Sequence, residues 1–79
     1  MEVNFYAGAA EAAGRKSAAV ELGDLTGTDL VGHLTEGNDR LARVMTCCTL
    51  LVDGLVLHDL GEQLPASAQI DVLPPFAGG

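Results

Sequence analysis

Basic residues are scarce in this sequence: four Lys and Arg stand against eleven Asp and Glu, for a formal charge of −7. Such a surface repels a phosphate backbone and an anionic headgroup layer alike, so neither nucleic acid nor a membrane is expected as a partner. Cysteine is almost missing, and its two copies, Cys47 and Cys48, are adjacent. Adjacent cysteines cannot build the widely spaced disulfide framework of a small secreted domain. No apolar run reaches membrane-spanning length, and "MEVNFYAG" has neither the basic nor the apolar region of a signal peptide. A reducing, cytoplasmic setting is expected.

The motifs of several chemistries are also missing. Glycine is plentiful, yet there is no GxGxxG and no GxxxxGK[ST], so no phosphate-cradling loop is expected. His33 and His58 stand alone, without CxxC, HxxxH or an acidic cluster at ligand spacing, and read as ordinary surface or partly buried side chains, not a metal site. No Ser or Cys sits in a recognisable nucleophile motif, and 79 residues leave little room for an enclosed pocket. Catalysis by this chain alone is therefore not expected, and no cofactor is expected to bind it. The acidity suits an electropositive protein partner, whose approach it would accelerate.

What the sequence does hold is a folding pattern. Apolar residues make up 48% of the chain, enough for one small domain. Val3, Phe5 and Ala7 alternate with Glu2, Asn4 and Tyr6, which predicts a strand over 2–7. The alanines between Gly8 and Gly14 favour a short helical turn, and "SAAVEL" predicts a second strand over 17–22, with Ala18, Val20 and Leu22 on one side. Thr28 is the expected N-cap of a helix with Asp29 in its first turn and Leu30, Val31 and Leu34 as its apolar stripe. Gly37-Asn38 should stop that helix, and Leu41, Val44, Met45 and Cys48 mark a second short one.

The clearest local signal is "CCTLLVDGLVLHD", two β-prone runs around Asp-Gly, which predicts strands over 47–52 and 55–58 joined by a type I′ turn. Cys47 and Cys48 would then point to opposite sheet faces as buried, inert thiols. "LGEQLPASAQ" reads as a polar connection, and "IDVL" as a final strand stopped by Pro74-Pro75. Strand, strand, helix, strand, strand, strand is the outline of an α+β, ubiquitin-like β-grasp fold: a mixed sheet with one main helix across one face and the last strand beside the first. The expected division is a β-grasp domain over 1–73 and an extended tail over 74–79.

That tail is where chemical features converge. Glycine has no Cβ, so Gly78-Gly79 can pass a channel too narrow for other residues. Pro74 and Pro75 stiffen the lead and lower the entropy lost on threading it into a partner, and Phe76, followed by Ala77, offers an apolar anchor. Extended, residues 74–79 span about 20 Å. A frayed end would account for Gly-Gly by itself, but not for the Pro-Pro-aromatic lead on a small acidic β-grasp domain.

"VLPPFAGG", together with the order of "VNFYA", "AAVEL", the capped helix and "LLVDG", resembles the small subunit of molybdopterin synthase and the wider β-grasp sulfur carriers, including the thiamine-pathway carrier. The resemblance spans the whole chain. It implies that Gly79 is adenylated by an E1-like, ATP-using activating enzyme and converted to a thiocarboxylate. The tail, with Pro74, Pro75, Phe76, Ala77 and Gly78 as its partner-binding residues, would enter the large subunit of molybdopterin synthase and give its sulfur to a pterin precursor. The chain would then be a sulfur-donating subunit whose catalytic groups lie in the partner. The same resemblance leaves open a ubiquitin-like modifier joined to target lysines, or a carrier serving thiamine, cysteine or tungsten-pterin synthesis. Two departures from the usual pattern are "SAQID" in place of Gly-Asp before the last strand, and Phe76 in place of a smaller aliphatic residue.

Overall fold

The computed structural model describes residues 1–75. The first strand, β1 (Glu2–Phe5), gives way to α1 (Ala7–Ala13). Ala7, expected in the strand, instead has φ of 49° and starts the helix, because the alanine-rich run that follows forms a full α-helix closed by Gly14 at φ 75°. β2 (Ser17–Ala19) is shorter than expected: Val20 is buried but the chain then turns away, leaving Leu22 54% exposed.

β3 (Leu25–Thr26) leads straight into α2 (Gly27–Thr35). The cap is Thr26 and not the expected Thr28. Thr26 Oγ1 accepts from the Asp29 amide at 3.1 Å, and the Asp29 carboxylate accepts from the Thr26 amide at 3.1 Å. This reciprocal box needs the acid three residues after the cap, a spacing that Thr26 and Asp29 have and that Thr28 lacks. Asn38 then caps α3 (Asp39–Met45), its Oδ1 accepting from the Leu41 amide at 3.0 Å while its Nδ2 donates to the Ala12 carbonyl at 2.9 Å. One side chain thus starts a helix and ties it to the end of α1.

β4 (Thr49–Val52) and β5 (Leu55–Val56) flank Asp53-Gly54, whose φ values of 49° and 84° are the two positive angles a type I′ turn requires. β5 ends two residues before the expected boundary at 58. Within the supposed polar connection lies β6 (Gln63–Leu64), antiparallel to β3. Two-residue strands carry too little alternation to be read from sequence. β7 (Gln69–Leu73) completes a five-stranded mixed sheet in the order β2-β1-β7-β4-β5, with β7 parallel to β1 and antiparallel to β4. The α+β β-grasp outline holds: among the described residues α2 is the main helix, and the expected helical turn and second short helix are α1 and α3.

Val3, Phe5, Ile70, Val72 and Leu50 line the inner face of the sheet, against Ala9 and Ala12 of α1, Leu30 of α2, and Leu41 and Met45 of α3. Val3, Ile70, Val72, Leu30 and Leu41 are almost wholly shielded, and each contributes about 1.5–3 kcal/mol by leaving water. No buried polar side chain among the described residues lacks a hydrogen-bond partner.

Candidate functional site: the end of the central strand

β7 is the best anchored strand of the sheet. Its alternation places Ile70 and Val72 in the core, and it pairs on both sides: Phe5 lies opposite Val72 on β1, and Thr49 opposite Leu73 on β4. The Tyr6 amide adds a bond of 3.2 Å to the Val72 carbonyl. Pro74 and Pro75 follow directly, and neither can donate to a ladder, so pairing ends at Leu73. Pro74 is half-buried and Pro75 exposed. Whatever follows therefore leaves from a fixed point at one end of the sheet. Phe76, Ala77, Gly78 and Gly79, the other residues expected to act here, lie outside the described residues.

The root of the tail carries a polar cluster that sequence reasoning did not single out. Asn4 and Asp71 are partners in the parallel register, both on the sheet face opposite the helices. Asn4 Nδ2 donates to Asp71 Oδ1 at 3.2 Å, and the exposed Tyr6 hydroxyl donates to the same oxygen at 3.3 Å. The Asp71 carboxylate repels a phenolate beside it; this, with slight desolvation and the hydrogen bond itself, pushes the Tyr6 phenol above its ordinary 10.0. The shared outward parity of Asn4 and Asp71 was a readable signal, but it becomes a contact only once β1 and β7 are known to be parallel neighbours.

Other expected groups do not gather here. His33 and His58 are both exposed and line different grooves, and among the described residues no three of His, Cys, Asp and Glu are grouped to hold a metal ion. The cysteines correct a sequence-based expectation: Cys47 is exposed and Cys48 half-buried, and neither is in β4. The Cys47 and Cys48 amides donate to the carbonyls of Val44 and Met45 at 3.1 Å each, so the turn closing α3 continues through both residues and delays the strand. Cys48 Sγ donates to the Val44 carbonyl at 3.2 Å, and burial, followed by the nearby Cys47, pushes its thiol up. No described helix is long and apolar enough to cross a membrane. The main concavities are open grooves, the one beside the tail root holding about 360 Å³ between Asn4, Phe5, Tyr6, Ala7, Ala10 and Lys16.

No protein-family model matches the chain, and no curated protein sequence does. Solved structures do. SAMP1 of Haloferax volcanii is 29% identical, with a TM-score of 0.82 over 99% of this chain and 97% of that one. Small archaeal modifier protein 1 of Methanosarcina acetivorans is 25% identical, with a TM-score of 0.77 over 99% of this chain and 94% of that one. A Pyrococcus furiosus protein named as molybdopterin converting factor, subunit 1, is 18% identical but has a TM-score of 0.82 over 95% of each chain, a likeness of fold. The likeness to ubiquitin-like β-grasp proteins thereby extends over nearly the whole chain: to small archaeal modifier proteins in sequence and fold, and to the molybdopterin converting factor subunit in fold.

Proposed function

We propose that this chain is a ubiquitin-like sulfur carrier working through Gly79, as the small subunit of a molybdopterin synthase. The supporting observation is the anchored end of β7, where Pro74-Pro75 stop the pairing at Leu73 directly before the expected tail. An ionised carboxylate is a poor acyl electrophile. An E1-like enzyme would join the Gly79 carboxylate to the AMP moiety of ATP and release pyrophosphate. A sulfide-level sulfur donor would then displace AMP, leaving a thiocarboxylate whose sulfur can pass to a pterin precursor in the large subunit. Glycine suits this role because an activated carboxyl on it has no side chain to clash and no stereocentre to lose. ATP belongs to the activating enzyme. Deleting Gly79 should abolish sulfur transfer by the reconstituted system while leaving the unfolding transition unchanged, and undiminished transfer by that variant contradicts the proposal.

A second reading has its own support. Three of the similar structures, at 29%, 27% and 25% identity, are of proteins named as small archaeal modifier protein 1, and the subunit named for molybdopterin conversion is more distant in sequence at 18%. As a modifier, the same Gly79 adenylate would acylate a lysine amine of a target and release AMP. Lys16 is the sole lysine of this chain, so chains of copies would grow through it alone. High-mass conjugates lost on deletion of Gly79, without sulfur transfer to a pterin precursor, would favour this reading. Carriage of sulfur for thiamine or cysteine synthesis would keep the thiocarboxylate and change only the acceptor.

A further inference from the structure

Exposed apolar surface gathers around the β5 hairpin. Five large apolar side chains are exposed among the described residues, and three of them belong to the β5 hairpin and the turn after it: Leu55 at 75%, Val56 at 48% and Leu60 at 45%. Among the described strands β5 is also an edge, with β4 as its one neighbour. The Leu57 amide donates to the Leu50 carbonyl at 2.8 Å, so Leu55 and Leu57 turn their peptide groups toward β4. By the same alternation the N–H and C=O of Val56 face away from the sheet. An edge that is both unpaired and apolar is a template for another strand.

Two grooves open beside this edge and share Val56 and Leu57 as a wall. One, of about 390 Å³, runs past Met45, Cys48, Leu50 and Leu60; the other, of about 260 Å³, past Val52, Leu55, Leu64 and Glu62. Among the described residues no Lys or Arg lines either groove, while Glu62 lines the second and Asp59 follows β5; the Asp53 carboxylate is held on the other side of β4, accepting from the Gln69 amide at 2.9 Å. An added strand would pair with Val56 and present side chains of one parity to both grooves, the arrangement by which sheet edges recognise extended peptides.

We propose that the β5 edge is a docking site for an extended segment of a protein partner, apolar at alternate positions and bearing Lys or Arg between them. Charge selects this occupant over a second copy. Two copies paired through β5 would bring Asp59 and Glu62 of one against those of the other, on chains each carrying a formal −7. The site does not depend on the chemistry of Gly79.

The test uses the full chain, isotope-labelled, and a capped synthetic peptide of alternating Val and Lys followed by amide NMR. Shifts should concentrate at residues 54–60, and the Val56 amide should gain protection from hydrogen exchange. Val56→Lys should weaken binding roughly tenfold, as should replacing every peptide Lys with Glu. Leu60→Lys, on an exposed side chain outside the ladder, serves as the second variant should Val56→Lys disturb the hairpin. Absence of saturable shifts, shifts centred on Asn4, Tyr6 and Asp71, or equal binding of the Glu peptide would overturn the proposal. So would a concentration-dependent doubling of sedimenting mass without peptide, abolished by Val56→Lys, since a second copy would then own the edge.

Discussion

Tyr6 and Val72 are joined by a main-chain hydrogen bond of 3.2 Å, the Tyr6 amide donating, two residues before Pro74. It continues the parallel pairing of β1 and β7 past the last paired residue of β1, so the central strand is held on both sides up to the point where the prolines end it.

The phenol of Tyr6 reports on that root. Its pKa is raised above 10.0 by the Asp71 carboxylate, so the folded state keeps a proton that the unfolded chain begins to lose near pH 10. The associated stability is present below that pH and is lost as pH rises through the raised folded value. Tyr6 is the only tyrosine and there is no tryptophan, so phenolate absorbance reads this group alone. Asp71→Asn should lower the midpoint toward the ordinary value.

The helix cap separates two threonines that sequence alone confuses. Thr26→Ala removes a capping box and should cost about 1 kcal/mol of unfolding free energy, whereas Thr28→Ala, which loses a 3.4 Å bond to the Leu60 carbonyl, should stay within about 0.5 kcal/mol. Denaturant titration of both variants distinguishes them.

Gly27 is constrained by contact. A Cβ there would lie 2.8 Å from Leu57 Cδ2 and 3.0 Å from both Leu60 Cδ2 and the Leu60 carbonyl oxygen. Leucine tips can move, but the carbonyl is fixed by the bond it accepts from the Thr28 amide at 2.9 Å. Gly27→Ala should therefore destabilise by about 1–3 kcal/mol, seen as a lower Tm. At Gly32, where an added Cβ meets nothing within 4 Å, alanine should be tolerated or stabilising.

Cys47 should react first with an alkylating agent. It is exposed, while Cys48 is half-buried, its thiol pushed up by burial and bonded to Val44. Mass mapping of partly modified protein gives the order; preferential labelling of Cys48 would contradict the turn described after α3.

Much of this fold is legible along the chain. The Asp53-Gly54 hairpin, the buried alternation of Val3 with Phe5 and of Ile70 with Val72, and the stop at Gly37-Asn38 all rest on local stereochemistry. What is not legible depends on partners remote in sequence. β3 exists because Gln63 and Leu64, almost forty residues on, pair with it, and Thr26 leaves that strand to cap α2. At the candidate site, Pro74 and Pro75 stand where the spacing of "IDVL" puts them, at the end of β7. The Asn4, Tyr6 and Asp71 cluster needed the parallel register, which no short window contains.

The central claim concerns one carboxyl group, and intact mass spectrometry reads it directly. The full chain is incubated with an E1-like activating enzyme, ATP and a sulfide donor, beside a copy lacking Gly79. The full chain should gain the mass difference between one sulfur and one oxygen, with fragment ions placing the gain on Gly79, and the truncated copy should stay unchanged. An unmodified full chain, or an equal gain in both proteins, would contradict the claim.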